Sequence, residues 1–267
     1  AEKFGQYPWI EEKFGLVHTP YLGMEHQTIN AYGNNYKKTK RGYDFILFHE
    51  AGHEWWGNYI SVADWSDFWI HEGICTYAES MYIEEKFGLE SAKNFIDERF
   101  KKNITNTAPM VPERNSNANL ESGNDVYYKG AHALHMLRYI IGKETLWASL
   151  KEYLQMPKEL PDNQTSTDEF ISLIEENSGM KLDWFFNQYF FKKELPTLKK
   201  LEKTINNKKY VDLWWEEVDF KMPVEINYFS FDGKRYKKLN LDNKPKRFVI
   251  PSDSKLIIDP NRWLLYK

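Results

Sequence analysis

Two histidines four residues apart, His49 and His53, enclose Glu50 in the run His-Glu-Ala-Gly-His, and a second His-Glu pair stands at His71-Glu72. On a helix, residues four apart project from one face, so both imidazoles can reach a single ion. Glu50 comes next to His49 round the helix. It stands beside the metal without ligating it, where a general base for an attacking water has to be. Glu72, brought in on a second helix, is the candidate third ligand. Two imidazoles and a carboxylate leave one tetrahedral position open for water or substrate, the arrangement of a zinc hydrolase. Manganese or cobalt could occupy the same ligands, although the set favours one zinc ion.

The bland rival is a polar helix face with two solvated histidines. Residues 43–56 argue against it, because they carry Phe45, Ile46, Phe48, Trp55 and Trp56. That run predicts a largely buried helix stopped by Gly57-Asn58. Two histidines and a glutamate inside such a helix are costly unless a metal or hydrogen bonds receive them.

The elements that must position these groups are mostly helical. A helix over 72–87, ended by Gly88, carries the third ligand. Further helices are expected at 91–102, 127–141, 144–155 and 167–177, with a shorter one around 182–191. Asn124 or Asp125 can cap the second of these, and Gly142 stops it. Upstream, residues 16–32 read as strand-like stretches broken by Gly and Pro. After Leu195-Pro196 the pattern changes to short alternating segments at 210–215, 224–231, 247–250 and 256–258. Asn206-Asn207, Asp232-Gly233 and Asp242-Asn243 are the turns between them. The fold class expected is α/β (α+β): a mostly helical domain over 1–195, then a small all-β, sandwich-like domain over 196–267.

Composition is that of a globular enzyme. The net charge of −3 gives no reason to expect nucleic acid or an anionic membrane as a partner. Ten Trp, 17 Tyr and 17 Phe are read first as packing residues. The single cysteine, Cys75, rules out an intrachain disulfide framework and is read as a small buried residue near the site. No run is long enough to span a membrane, and the first residues do not open a signal peptide. The compartment stays open between cytoplasm and cell envelope, with a lean to the envelope.

Several separate stretches resemble one family. Phe4-Gly5-Gln6-Tyr7-Pro8-Trp9, Gly23-Met24-Glu25-His26, the run HEAGHEWWGN at 49–58, Trp69-Ile70-His71-Glu72-Gly73 and Tyr127-Tyr128-Lys129-Gly130 are similar, in order, to motifs of the gluzincin zinc aminopeptidases typified by aminopeptidase N and leukotriene hydrolase. The resemblance implies a thermolysin-like catalytic domain that removes the N-terminal residue of peptides by a promoted-water route. It implies His49, His53 and Glu72 as ligands of one zinc ion, Glu50 as the base and Tyr127 as donor to the oxyanion. Glu25 would bind the free α-amine of the peptide. Gly23 and Met24 would offer backbone hydrogen bonds and part of the first pocket. Glu79 would hold a zinc histidine in one tautomer.

Departures from the family pattern are equally specific. His26 stands where the family usually has Asn, and Ala51-Gly52 where Leu-Ala is common. His71 stands where Asn is frequent and is assigned no chemistry; His18, His132 and His135 are not read as ligands, the last two being expected as satisfied core or surface residues. The resemblance leaves out the family's β-rich upstream domain, so the chain is expected to be a catalytic domain with a small β domain from something longer. Two rivals follow: a cleft open enough for internal cleavage, and a metal-binding, non-catalytic peptide binder. Retention of Glu50 and Tyr127 argues against the second.

Overall fold

A computed structural model describes residues 3–230 and 233–267; Phe231 and Asp232, expected in a strand end and a turn, lie outside the described residues, as do Ala1 and Glu2. Three short strands open the fold: β1 (Gly15–His18), β2 (Gly23–Met24) and β3 (Ile29–Tyr32). Their order is β1-β3-β2, with β1 parallel and β2 antiparallel to β3. Gly33 permits the tight return, since a Cβ there would lie 1.9 Å from the carbonyl oxygen of Tyr21.

Next comes helix α1 (Phe45–Gly52), whose N-cap Asp44 accepts from the Leu47 amide. This helix is shorter and less buried than the apolar run predicts. It ends at Gly52 with His53 as C-cap, and only Ile46 and Glu50 within it are buried. The run 53–56 leaves the helix because Trp56 forms a bridge with Ile60 around Gly57, whose φ is +128°. Trp56 is fully buried, whereas Trp55 is only partly so.

Strand β4 (Ser61–Val62) leads to α2 (Trp69–Phe87), the most buried helix, and then to α3 (Leu89–Arg99). A single turn, α4 (Ala118–Glu121), precedes α5 (Asp125–Ile141) and α6 (Lys143–Gln155). Strand β5 (Gln164–Thr165) pairs with β4, and α7 (Thr167–Ser178) and α8 (Asp183–Tyr189) complete the helices. Gly88 and Gly142 close α2 and α5 at positive φ, as their positions suggest. Asn124 takes the N-cap position of α5 but makes no side-chain cap bond. Asp125 is turned away instead and accepts from the amides of Thr105 and Asn106.

Six strands follow: β6 (Thr197–Ile205), β7 (Lys208–Glu216), β8 (Met222–Ser230), β9 (Gly233–Leu241), β10 (Lys246–Pro251) and β11 (Ile257–Ile258). They form two antiparallel three-stranded sheets, ordered β10-β7-β6 and β11-β8-β9. Val211, Leu213 and Trp215 from one sheet and Val224, Ile226 and Tyr228 from the other are buried, the alternation expected of facing sheets. The β6–β7 hairpin turns at Asn206-Asn207, both at positive φ. The buried apolar residues of helices and sheets form one continuous cluster, and Tyr189 of α8 donates to the carbonyl of Leu265.

Candidate active site

The centre of the molecule is a helix crossing. Gly73 of α2 and Gly130 of α5 meet backbone to backbone: a Cβ on Gly73 would lie 2.9 Å from the Val126 carbonyl oxygen and 3.1 Å from the Gly130 Cα. This close approach sets Glu72 beside Tyr127, each the neighbour or near neighbour of a crossing glycine. Lys129 anchors the other side of α5; it is fully buried and donates to the carbonyl of Lys192 at 3.1 Å. Burial lowers its pKa to about 8.

Against this crossing α1 delivers its two histidines. Nε2 of His49, Nε2 of His53 and Oε2 of Glu72 form a triangle with edges of 3.1, 3.2 and 3.3 Å. A tetrahedral zinc about 2.0–2.1 Å from each ligand requires ligand atoms roughly 3.3 Å apart. The donor set and its dimensions therefore fit such an ion. The far nitrogens are oriented as well. His53 Nδ1 donates to the Trp56 carbonyl at 2.9 Å, which directs Nε2 into the triangle. His49 Nδ1 stands 3.6 Å from Glu79 Oε1, and the Tyr43 hydroxyl donates to the other oxygen of Glu79 at 3.2 Å.

Electrostatics favour positive charge at the triangle. Burial acts to lower the His49 imidazole, yet the Glu72 and Glu79 carboxylates overcome it and raise the group to about 10. Glu72 is itself held far below the usual carboxylate range: its burial is outweighed by the two imidazoles. A site that grips a proton this firmly between carboxylates and imidazoles also suits a divalent cation. Glu50 behaves oppositely. Burial raises it to about 6, with Glu25 and Glu72 reinforcing the shift and the imidazoles opposing it. Tyr127 stacks on His49 with ring centroids 6.2 Å apart. Burial, then the charge of Glu72, pushes its phenol far above the ordinary value, so it keeps its proton.

Strand β2 forms the opposite wall. Gly23, Met24 and Glu25 line the same cleft as the three candidate ligands, Glu50, Glu79 and Tyr127. Oxygens of Glu25 and Glu50 and a ring nitrogen of His53 all lie within 4.8 Å of one another. All nine residues singled out in the sequence thus converge on one cleft.

Sequence reasoning missed the tie that sets the strands against α1. Glu54, fully buried next to His53, accepts from the Thr28 amide and from the Asn30 side chain at 2.9 Å. Its only signal was a charged residue inside an apolar run. Arg99, Thr76 and Tyr128 also line the cleft without having been marked. His71 is buried, and its Nε2 accepts from the Val62 amide at 3.1 Å, a structural task. His18 lies on β1, away from the cleft lining. Cys75 is buried with Sγ 3.5 Å from His53 Nδ1. His132 and His135 correct an expectation: both are in the core, and their four ring nitrogens make no well-formed hydrogen bond, although backbone groups of Trp263 and Leu264 face His132 and one of Arg262 faces His135.

Comparison with known proteins gives a consistent result. The profile described as "Peptidase family M1 domain" matches residues 21–189. Leucine aminopeptidase 2 of Sclerotinia sclerotiorum is 26% identical over 230 residues, covering 79% of this chain and 37% of its own length. Aminopeptidase M1-D of Oryza sativa subsp. japonica is 25% identical over 177 residues, covering 63% of this chain and 19% of its own. The chain thus spans well under half the length of the curated relatives it matches. Among solved structures, Legionella pneumophila aminopeptidase A in complex with aspartic acid has a TM-score of 0.76 at 17% identity, covering 96% of this chain and 32% of that one. The M1 zinc metallopeptidase of Deinococcus radiodurans has a TM-score of 0.61 at 22% identity, covering 73% and 42%. These two likenesses fix the fold.

Proposed function

This chain belongs to peptidase family M1, and from that premise we propose that it is a zinc aminopeptidase that hydrolyses the N-terminal bond of peptides with a free amine. His49, His53 and Glu72 would hold one zinc ion. When bound there, the ion would polarise the scissile carbonyl and lower the pKa of the attacking water. Glu50 takes the proton of that water and passes it to the departing amine nitrogen. Its raised value, about 6, is suited to accepting and releasing a proton near neutrality. Tyr127, kept protonated, donates to the oxyanion that forms on the carbonyl oxygen. Glu79 keeps His49 facing the triangle.

The observation that carries the reading is the distance from Glu25 to the catalytic groups. Its carboxylate lies within 4.8 Å of donor atoms of Glu50 and His53. Consecutive Cα atoms are about 3.8 Å apart, so an ammonium group held by Glu25 leaves room for one residue before the bond presented to Glu50. A chain continuing in that direction would have to bury its amide against a carboxylate. Gly23 and Met24 flank that residue from the strand side.

The test pairs a peptide with its N-acetylated twin on the zinc-loaded protein, with Glu50→Gln as control. Cleavage of the free-amine peptide alone, lost in the variant, is the expected result. Cleavage of both would replace the reading with an endopeptidase-like cleft. Binding of both without turnover would make the protein a peptide binder.

A further inference from the structure

The cleft contains a cation that the reaction does not use. Arg99, the last residue of α3, lines it beside Tyr128, Phe45 and Glu79. Its guanidinium lies 4.9 Å from the Phe45 ring centroid and 5.5 Å from that of Tyr128. Two aromatic faces fix the position of the charge and remove part of its hydration. Among the described residues the guanidinium has no hydrogen-bond or ion-pair partner. The neighbouring Glu98 is engaged elsewhere, by Lys40 at 2.8 Å and Arg41 at 3.3 Å. Glu79 faces His49 and the Tyr43 hydroxyl. A half-buried fork of five donors, oriented and unpaired at a binding cleft, fits a planar carboxylate.

Its place decides which carboxylate. Ile46, Glu50 and His53 form one stripe of α1, and that stripe faces Gly23 and Glu25. Phe45 and His49 form the adjacent stripe, and that one faces Arg99 and Glu79. The metal triangle lies between, so Glu25 marks one flank of the cleft and Arg99 the other, where the Glu79 carboxylate is already engaged by His49 and Tyr43. A second depression continues past Arg99 along Thr39, Lys40 and Arg41, and shares Phe45, Glu79 and Arg99 with the first. With the ammonium at Glu25, the part of the substrate beyond the scissile bond runs toward Arg99.

We propose that Arg99 is a specificity-determining residue that binds a carboxylate on the leaving side of the substrate, making short peptides with a free C-terminus, or with an acidic residue after the scissile bond, the preferred class. The inference rests on the aminopeptidase reading above. It gives Arg99 no part in bond cleavage: its charge acts on KM, through binding, before any bond breaks.

The experiment compares a dipeptide with its C-terminal amide, and a longer amidated peptide bearing Glu second with its Gln counterpart, on wild type, Arg99→Met and Arg99→Lys. A charge-assisted hydrogen bond predicts a free-acid to amide preference in kcat/KM of about 10- to 100-fold in wild type, lying mostly in KM. Arg99→Met keeps the stem over the rings and is expected to bring the ratio close to one, with Arg99→Lys between. The first pair reports a C-terminal carboxylate and the second an acidic side chain. A wild-type ratio near one in both pairs overturns the proposal without any variant. So does an unchanged ratio in Arg99→Met, which would leave Arg99 a packing residue. Calorimetric binding of the same pairs to zinc-loaded Glu50→Gln separates the two readings: if nothing is hydrolysed yet the acid still binds more tightly than the amide, the aminopeptidase reading fails while the Arg99 assignment stands.

Discussion

A Cβ placed on Gly23 would lie 2.4 Å from Oε1 of Glu50 and 2.8 Å from the Ile46 side chain. The strand that lines the cleft therefore touches the candidate base directly, and glycine is there because nothing larger fits. Gly23→Ala must push either the strand or the Glu50 carboxylate aside. Displacing a reacting group by about 1 Å costs roughly 10²-fold in rate. We expect kcat/KM of Gly23→Ala to fall by about that factor while zinc content and thermal midpoint stay close to wild type. Unaltered turnover would show that Glu50 does not act from this position.

The Gly73–Gly130 contact makes a different prediction, because here backbone meets backbone. No side chain can swing away from a Cβ on Gly73 placed 2.9 Å from the Val126 carbonyl. Gly73→Val forces α2 and α5 apart, and overpacking of this kind costs about 1–3 kcal/mol or more. Denaturant unfolding should show that loss. Because the helices carry Glu72 and Tyr127, zinc affinity and activity should fall with it. A fully stable Gly73→Val would mean that the crossing is looser than the structure has it.

Glu79 offers a test of orientation alone. It touches no other candidate ligand than His49, through Nδ1 at 3.6 Å, and is itself held by Tyr43. Glu79→Gln keeps the shape and removes the charge that sets the imidazole's tautomer and basicity. Such a partner is commonly worth 10- to 100-fold in metal affinity. Competition with a chelator should show a zinc dissociation constant raised by about that range, with the fold intact by circular dichroism. Equal affinity in the two proteins would reduce Glu79 to a buried acid with no bearing on the metal.

What the sequence made legible follows from where the physics is local. The His49/His53 spacing on a helix is a one-turn relation, and the glycine stops at Gly88 and Gly142 are local as well. Strands β7 and β8 could be read because apolar and polar residues alternate along them, as in Val211-Asp212-Leu213 and Val224-Glu225-Ile226-Asn227-Tyr228. Strands β6 and β9 could not. From Lys200 on, β6 is exposed, as is most of β9, and both are rich in lysine, as suits edge strands that must refuse further pairing. A sequence polar on both faces carries no period of two. The early end of α1 was hidden for another reason: Trp55 and Trp56 continue the apolar run, but they serve a turn around Gly57. Glu54 and Arg99 act through partners 24 to 26 residues away or on distant helices, and no spacing announces such contacts.

The buried histidines of α5 contribute to the response to acid. The Trp263 ring stacks on His135 at 4.6 Å, and neither imidazole makes a well-formed hydrogen bond, the nearest polar groups being backbone of Trp263 and Leu264 for His132 and of Arg262 for His135. The charges that face them are Lys101, Lys93 and Arg138, all positive. Burial first, then Lys101, lowers His132 to about 3; burial first, then His132, Arg138 and Lys93, lowers His135 well below its ordinary value, the facing backbone groups opposing the shift only in part. In the unfolded chain both titrate near 6.5. Above that pH both states are neutral there and the pair contributes no pH dependence. As pH falls below 6.5 the unfolded state takes up protons that the folded state refuses, so stability drops, by about 1.4 kcal/mol per pH unit for each histidine. The loss continues until the folded value is reached, about 3 for His132. Urea unfolding of the metal-free protein between pH 7 and 4.5 should therefore show a steep decline. The double variant His132→Leu, His135→Leu should decline more gently over the same window, whatever its stability at pH 7. Parallel curves would mean that the facing backbone groups, or bound water, let these histidines accept protons in the folded state.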